Sequence, residues 1–74
     1  MEKYVDIIRE LREQHKLKQT EVAKYLATTQ QVYSLYETGK SEMPLRHFIA
    51  LCVYYKVSAD YLLGWTKHPD LPKE

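Results

Sequence analysis

The sequence predicts an all-α fold, five short helices in one compact domain, on three observations. Apolar residues recur at intervals of three and four along nearly the whole chain. No stretch alternates apolar and polar residues as a half-buried strand would. Residues that start or stop helices stand between the periodic stretches: Thr29, Gly39, Pro44, Ser58 and Gly64.

The first helix is expected over about residues 2–15, where Tyr4, Val5, Ile8, Leu11, Arg12 and His15 share one face. Lys16-Leu17-Lys18 closes it. Gln19-Thr20-Glu21 opens a second helix whose Val22, Ala23 and Leu26 form an inner face, ending near Ala27. Thr29 is suited to cap a third helix at about 30–37, because its hydroxyl can accept from an orphan amide of the first turn, and Gly39 stops that helix. After the loop at 40–43, Pro44 fits the first turn of a fourth helix, where its missing N–H is not needed. Leu45, Phe48, Leu51, Cys52 and Tyr55 form the apolar stripe of that helix. Ser58 caps a short fifth helix through Leu63, stopped by Gly64. The expected organisation is one domain over residues 1–66 and a loosely ordered, proline-containing tail over 67–74.

A 74-residue chain has room for one domain, which excludes an active-site cleft between domains. Its single cysteine, Cys52, permits no internal disulfide and reads as a packed, inert thiol; with three scattered histidines it makes no zinc site. No metal or cofactor is expected. There is no run of 18 apolar residues and no apolar leader behind a basic N-terminus, so a cytoplasmic location without membrane contact is expected. The net charge is +1, yet residues 16–56 carry six basic and three acidic groups. The positive charge is concentrated in the middle of the chain.

Two short helices joined by two or three residues have the geometry of a helix-turn-helix, which places its second helix in the DNA major groove. The third helix has two chemically distinct faces. At about 100° per residue, Val32, Tyr33 and Tyr36 lie on an apolar, aromatic side suited to packing on the first and fourth helices. Gln30, Gln31, Ser34 and Thr38 lie on an uncharged polar side with Leu35 at its edge. A glutamine amide presents a donor and an acceptor together, matching N6 and N7 of adenine. Gln30 and Gln31 are therefore candidate base readers; the alternative is that they are ordinary helix formers on a wet surface. For Lys18, Lys24, Arg46 and His47 a solubilising role outweighs contact, with Lys18 and Arg46 as lesser additions to the DNA-backbone candidates.

The runs Leu17-Lys18-Gln19-Thr20-Glu21-Val22-Ala23-Lys24-Tyr25-Leu26 and Thr28-Thr29-Gln30-Gln31-Val32-Tyr33-Ser34-Leu35-Tyr36-Glu37-Thr38-Gly39-Lys40 resemble the Cro/cI-type (XRE-family) helix-turn-helix. The resemblance covers about residues 6–64, including Pro44 and the ending Val57-Ser58-Ala59-Asp60-Tyr61-Leu62-Leu63-Gly64. It implies a five-helix, lambda-repressor-like DNA-binding domain with the helix-turn-helix on helices 2 and 3. The Thr28-Thr29-Gln30-Gln31 stretch is similar to lambdoid phage repressors whose recognition helix opens with two glutamines. By that resemblance Gln30 and Gln31 read bases, with Ser34 and Leu35 on the same face. Two departures stand out. Ala27 occupies the place of the usual glycine after the second helix, which predicts an altered turn or a helix one residue longer. Leu35 replaces a third glutamine; it suits a thymine methyl, or a packing or partner contact.

Contacts to the DNA backbone fix register, and the candidates are Gln19, Thr29, Lys40 and Ser41. For Gln19 the resemblance implies a phosphate. Arg12 shares a stripe with Val5 and Ile8 and needs a partner; Glu37, beside Tyr33, is the natural one, and the resemblance implies the same structural ion pair. Tyr33, Tyr36, Tyr55 and Tyr61 are expected in the core with hydroxyls at its edge. Ile49, Val53, Tyr54 and Trp65 exceed what so small a core can bury and form a candidate dimer surface. The function these features imply is a sequence-specific DNA-binding transcriptional regulator, a repressor by preference, acting as a homodimer on a two-fold operator in double-stranded DNA. The alternative is a protein-interaction module of the same fold, an antitoxin or accessory factor with a protein partner. An enzyme is not expected: no nucleophile–base pair, phosphate-cradling loop or paired carboxylates can be placed on one site.

Overall fold

The computed structural model describes residues 3–69. Five helices follow one another: α1 (Tyr4–Gln14), α2 (Gln19–Tyr25), α3 (Gln30–Thr38), α4 (Leu45–Tyr55) and α5 (Ala59–Leu62). No strand occurs among the described residues. The five-helix, all-α architecture expected from the sequence is the one observed.

All five helices stop in the same way. The first or second residue past each end takes positive φ, and the N–H after it turns back to the carbonyl five residues earlier: Leu17 to Arg12 at 3.0 Å, Thr28 to Ala23 at 2.9 Å, Lys40 to Leu35 at 3.0 Å, Val57 to Cys52 at 3.0 Å and Trp65 to Asp60 at 2.9 Å. At Gly39 (φ 75°) no atom lies within 4 Å of an added Cβ, so the backbone conformation, not space, calls for glycine. Ala27 adopts φ 58° and closes the α2–α3 turn as a glycine would. The altered turn or longer helix expected there does not occur, and α2 ends at Tyr25 rather than near Ala27. Two caps act at helix starts as expected. Thr29 Oγ1 accepts from the Val32 N–H at 3.2 Å, and Ser58 Oγ from the Tyr61 N–H at 3.1 Å.

The core gathers Ile7, Ile8 and Leu11 of α1, Val22, Ala23 and Leu26 of α2 and its turn, Tyr33 and Tyr36 of α3, Leu51 and Tyr55 of α4, and Val57 and Leu62 around α5. α3 packs chiefly on α2 and α1 rather than on α1 and α4, while α5 closes against α1 and α4. The expected stripe of α4 is partly wrong. Its buried row is His47, Leu51 and Tyr55, with Phe48 and Cys52 half-buried at the edge; Leu45 belongs to the opposite row with Ile49 and Val53 and is 71% exposed. His47 is therefore a core residue, not a solubilising one. Its Nδ1 lies 3.1 Å from the Tyr36 hydroxyl.

Other details also depart from expectation. Val32 sits at the exposed rim of α3, and His15 is exposed, though its ring lies 5.1 Å from that of Tyr55. Tyr61 is half-buried. The hydroxyls of Tyr33 and Tyr55 are buried instead of reaching the edge, that of Tyr33 beside the Glu37 carboxylate and that of Tyr55 without a hydrogen-bond partner. The Pro69 carbonyl accepts from the Ser58 N–H at 2.9 Å, so the chain after α5 folds back on the start of that helix. Residues 70–74 of the expected tail lie outside the described residues.

Candidate nucleic-acid interface

α3 is held on one side and open on the other. Tyr33, Tyr36 and Glu37 are buried, and the two tyrosine rings meet edge to face with centroids 6.2 Å apart. The outward side presents Gln30, Gln31 and Leu35, all exposed, with Ser34 half-buried behind them. Thr38 folds its hydroxyl onto the Ser34 and Leu35 carbonyls at 3.1 and 3.3 Å, which smooths the end of this face.

A chain of side-chain hydrogen bonds runs from α1 to the first residue of α3. Arg12 donates from Nε to Glu37 Oε2 at 2.7 Å and from Nη2 to Glu37 Oε1 at 3.1 Å. A third N–H of Arg12 reaches the Leu17 carbonyl at 2.9 Å, tying the ion pair to the α1–α2 turn. Glu37 Oε1 also accepts from Gln19 Nε2 at 3.1 Å, and Gln19 Oε1 accepts from Gln30 Nε2 at 2.9 Å. The Glu37 side chain is 3% exposed and that of Arg12 is 15% exposed. Burial alone would lift the Glu37 carboxyl, but the hydrogen bonds from Arg12 and Gln19 outweigh it and hold the carboxyl below its ordinary range. The same contact raises the Arg12 guanidinium. The Tyr33 phenol is pushed well above its usual range by burial beside the Glu37 carboxylate, and burial likewise raises the Cys52 thiol. The ion pair expected between Arg12 and Glu37 is thus present, and Gln19 and Gln30 are attached to it.

The remaining candidates surround the same face. Gln19 lies half-buried at the start of α2, with both atoms of its amide engaged and one N–H left over. Thr29 is exposed with its oxygen committed to the cap. The backbone N–H groups of Lys40 and Ser41 both turn to the Leu35 carbonyl, at 3.0 and 3.3 Å, so only their side chains are available outward. Among the described residues no group of His, Cys, Asp and Glu is placed to hold a metal, and no helix is long and apolar enough to cross a membrane.

This arrangement of α2 packed by its Val22 and Ala23, a short turn and a half-open α3 coincides with a helix-turn-helix family model over residues 8–62. The chain belongs to the helix-turn-helix family. It is 36% identical over 67 residues to YobD of Bacillus subtilis (strain 168), described as an uncharacterized HTH-type transcriptional regulator; the match takes in 90% of this chain and 60% of YobD. Among solved structures it is similar to a transcriptional regulator from Listeria innocua, with TM-score 0.81 and 23% identity over 86% of this chain and 60% of that one. It is also similar to the P22 c2 repressor in complex with a synthetic operator, with TM-score 0.79 and 24% identity over 89% of this chain and all of that one. At those identities the two structures establish the fold. This helix-turn-helix domain spans about three fifths of the length of YobD and of the Listeria protein.

Proposed function

We propose that this domain is a sequence-specific DNA-binding transcriptional regulator, a repressor by preference, that lays α3 in the major groove. The observation that carries the reading is the exposed pair Gln30 and Gln31 on the first turn of a helix whose other side is locked into the core. A face meant only to be wetted would carry lysine and glutamate, whereas this one carries amides matched to adenine. Leu35 extends the same surface with an apolar group of the kind that meets a thymine methyl. Gln19, Thr29, Lys40 and Ser41 border it as side chains for phosphate contacts. The fold shared with a repressor solved on its operator supports the reading.

One short helix spans few base pairs, so the regulator acts as a homodimer on a two-fold site. Leu45, Ile49 and Val53 form an uninterrupted exposed apolar row on α4, and Trp65 is 67% exposed. This row is the surface offered to a second copy. Tyr54, counted with it from sequence, is half-buried against Tyr25 and Tyr55, with ring centroids 4.2 and 5.1 Å away. The same apolar row favours a second reading, a module of this fold whose main partner is another protein.

Selection from randomised duplex DNA at a stated salt concentration tests the proposal, because salt sets the phosphate contribution. The expected product is a motif with two inverted adenine-containing half-sites about one helical turn apart. Recovery of unrelated sequences would favour the protein-partner reading.

A further inference from the structure

The amide of Gln30 can face a base in two ways. With its oxygen and one N–H outward it matches adenine; with its oxygen used inside the protein it offers only N–H groups, which match the N7 and O6 acceptors of guanine. The choice is made away from the surface. Arg12 carries donors only, and an ionised Glu37 carries acceptors only. Gln19 must therefore turn its NH2 group to Glu37 and its oxygen to Gln30, and Gln30 must give an N–H to that oxygen, as the 3.1 and 2.9 Å bonds record. What Gln30 has left is its oxygen and its second N–H.

We infer that Glu37 is a positioning residue for specificity: through Gln19, its buried charge fixes which atoms of Gln30 face the DNA and so selects adenine over guanine at that base pair. The inference rests on the DNA-reading assignment proposed above. Glu37 is buried and anchored by two bonds from Arg12, so it does not turn to suit the ligand. Gln19 is held at both ends of its amide, so reversing it breaks two hydrogen bonds at once.

The substitution Glu37→Gln inverts this relay while keeping the shape of the side chain. Of the two Arg12 contacts, the one from Nε at 2.7 Å is the shorter and tolerates a facing N–H least. The new amide oxygen therefore takes that place, and its NH2 stands where Glu37 Oε1 stood, giving up the 3.1 Å bond from Arg12 Nη2 and facing Gln19. Gln19 then accepts from position 37 and donates to the Gln30 oxygen, which leaves Gln30 with N–H groups outward.

The test uses the full chain and the duplex motif selected by the wild type. The base pair at which Gln30→Ala loses discrimination marks the Gln30 contact, and duplexes with adenine or guanine there are titrated at one salt concentration. The wild type is expected to prefer adenine by roughly tenfold. Glu37→Gln is expected to reverse that preference toward guanine. Gln19→Met leaves the ion pair intact and frees Gln30 to turn; it is expected to narrow the preference to within about threefold, and it decides the question if circular dichroism shows Glu37→Gln unfolded. A folded Glu37→Gln or a Gln19→Met variant that keeps the full adenine preference, or a wild type preferring guanine, overturns the inference alone. A wild type that selects no motif overturns the DNA-reading assignment and this inference with it.

Discussion

Ala27 sits in the left-handed region at φ 58°, where a side chain costs roughly 1–2 kcal/mol and glycine costs little. Ala27→Gly is therefore expected to stabilise the fold by about 0.5–1 kcal/mol, the gain being trimmed by the greater freedom of glycine in the unfolded chain. Thermal unfolding measures this as a rise of a few degrees. Tyr55 tests a different cost, since its hydroxyl is buried with no partner. Tyr55→Phe removes an unsatisfied polar group and is expected to be neutral or stabilising by up to about 1 kcal/mol; a clear loss in urea unfolding would mean that the hydroxyl is satisfied in solution. Neither effect was legible from sequence. The turn around Ala27 reads as altered only if glycine is assumed obligatory, and the depth of a tyrosine ring depends on which row of a helix faces inward. On α4 the row through Leu45, Ile49 and Val53 is wholly aliphatic and the one through His47, Leu51 and Tyr55 is less apolar, yet both recur at helical spacing. Periodicity cannot rank them, and the buried one contains the histidine.

The Arg12–Glu37 pair joins α1 to α3 and sets the stance of the exposed helix. Removing the cation alone, as in Arg12→Met, strands a carboxylate that is 3% exposed and is expected to cost about 3–5 kcal/mol. The double variant Arg12→Met/Glu37→Leu is expected to recover most of that loss, which a comparison of urea midpoints of the three proteins would read. The pair also predicts a pH dependence. Glu37 is held below its unfolded value of 4.5, so its contribution to stability is present above that pH and is lost as pH falls through the lower folded value. The wild type should therefore lose stability more steeply than the double variant below about pH 4.5; parallel acid limbs would contradict it. The pair itself was readable from the spacing of Arg12 within an apolar stripe. The attachment of Gln19 and Gln30 was not, because it depends on the first turns of α2 and α3 standing side by side, a property of the turn between them rather than of either helix.

At the scale of the molecule, the number, order and type of elements followed from periodicity and punctuation, since Thr29, Gly39, Pro44, Ser58 and Gly64 each act through local backbone chemistry. Surfaces are less legible, because an exposed apolar residue and a core residue look alike in a short helix. The row Leu45, Ile49 and Val53 is the case in point. Sedimentation is expected to show a concentration-dependent dimer that Ile49→Glu/Val53→Glu converts to a folded monomer; a wild type that stays monomeric would remove the dimer from the account. The central claim, that Gln30 and Gln31 read bases, is tested most directly by titrating the selected operator and a scrambled duplex at the same salt concentration. The wild type is compared with a folded Gln30→Ala/Gln31→Ala variant. The account predicts that the double variant loses roughly 2–6 kcal/mol of discrimination, at about 1–3 for each bidentate pair. Equal discrimination by the two proteins would contradict it.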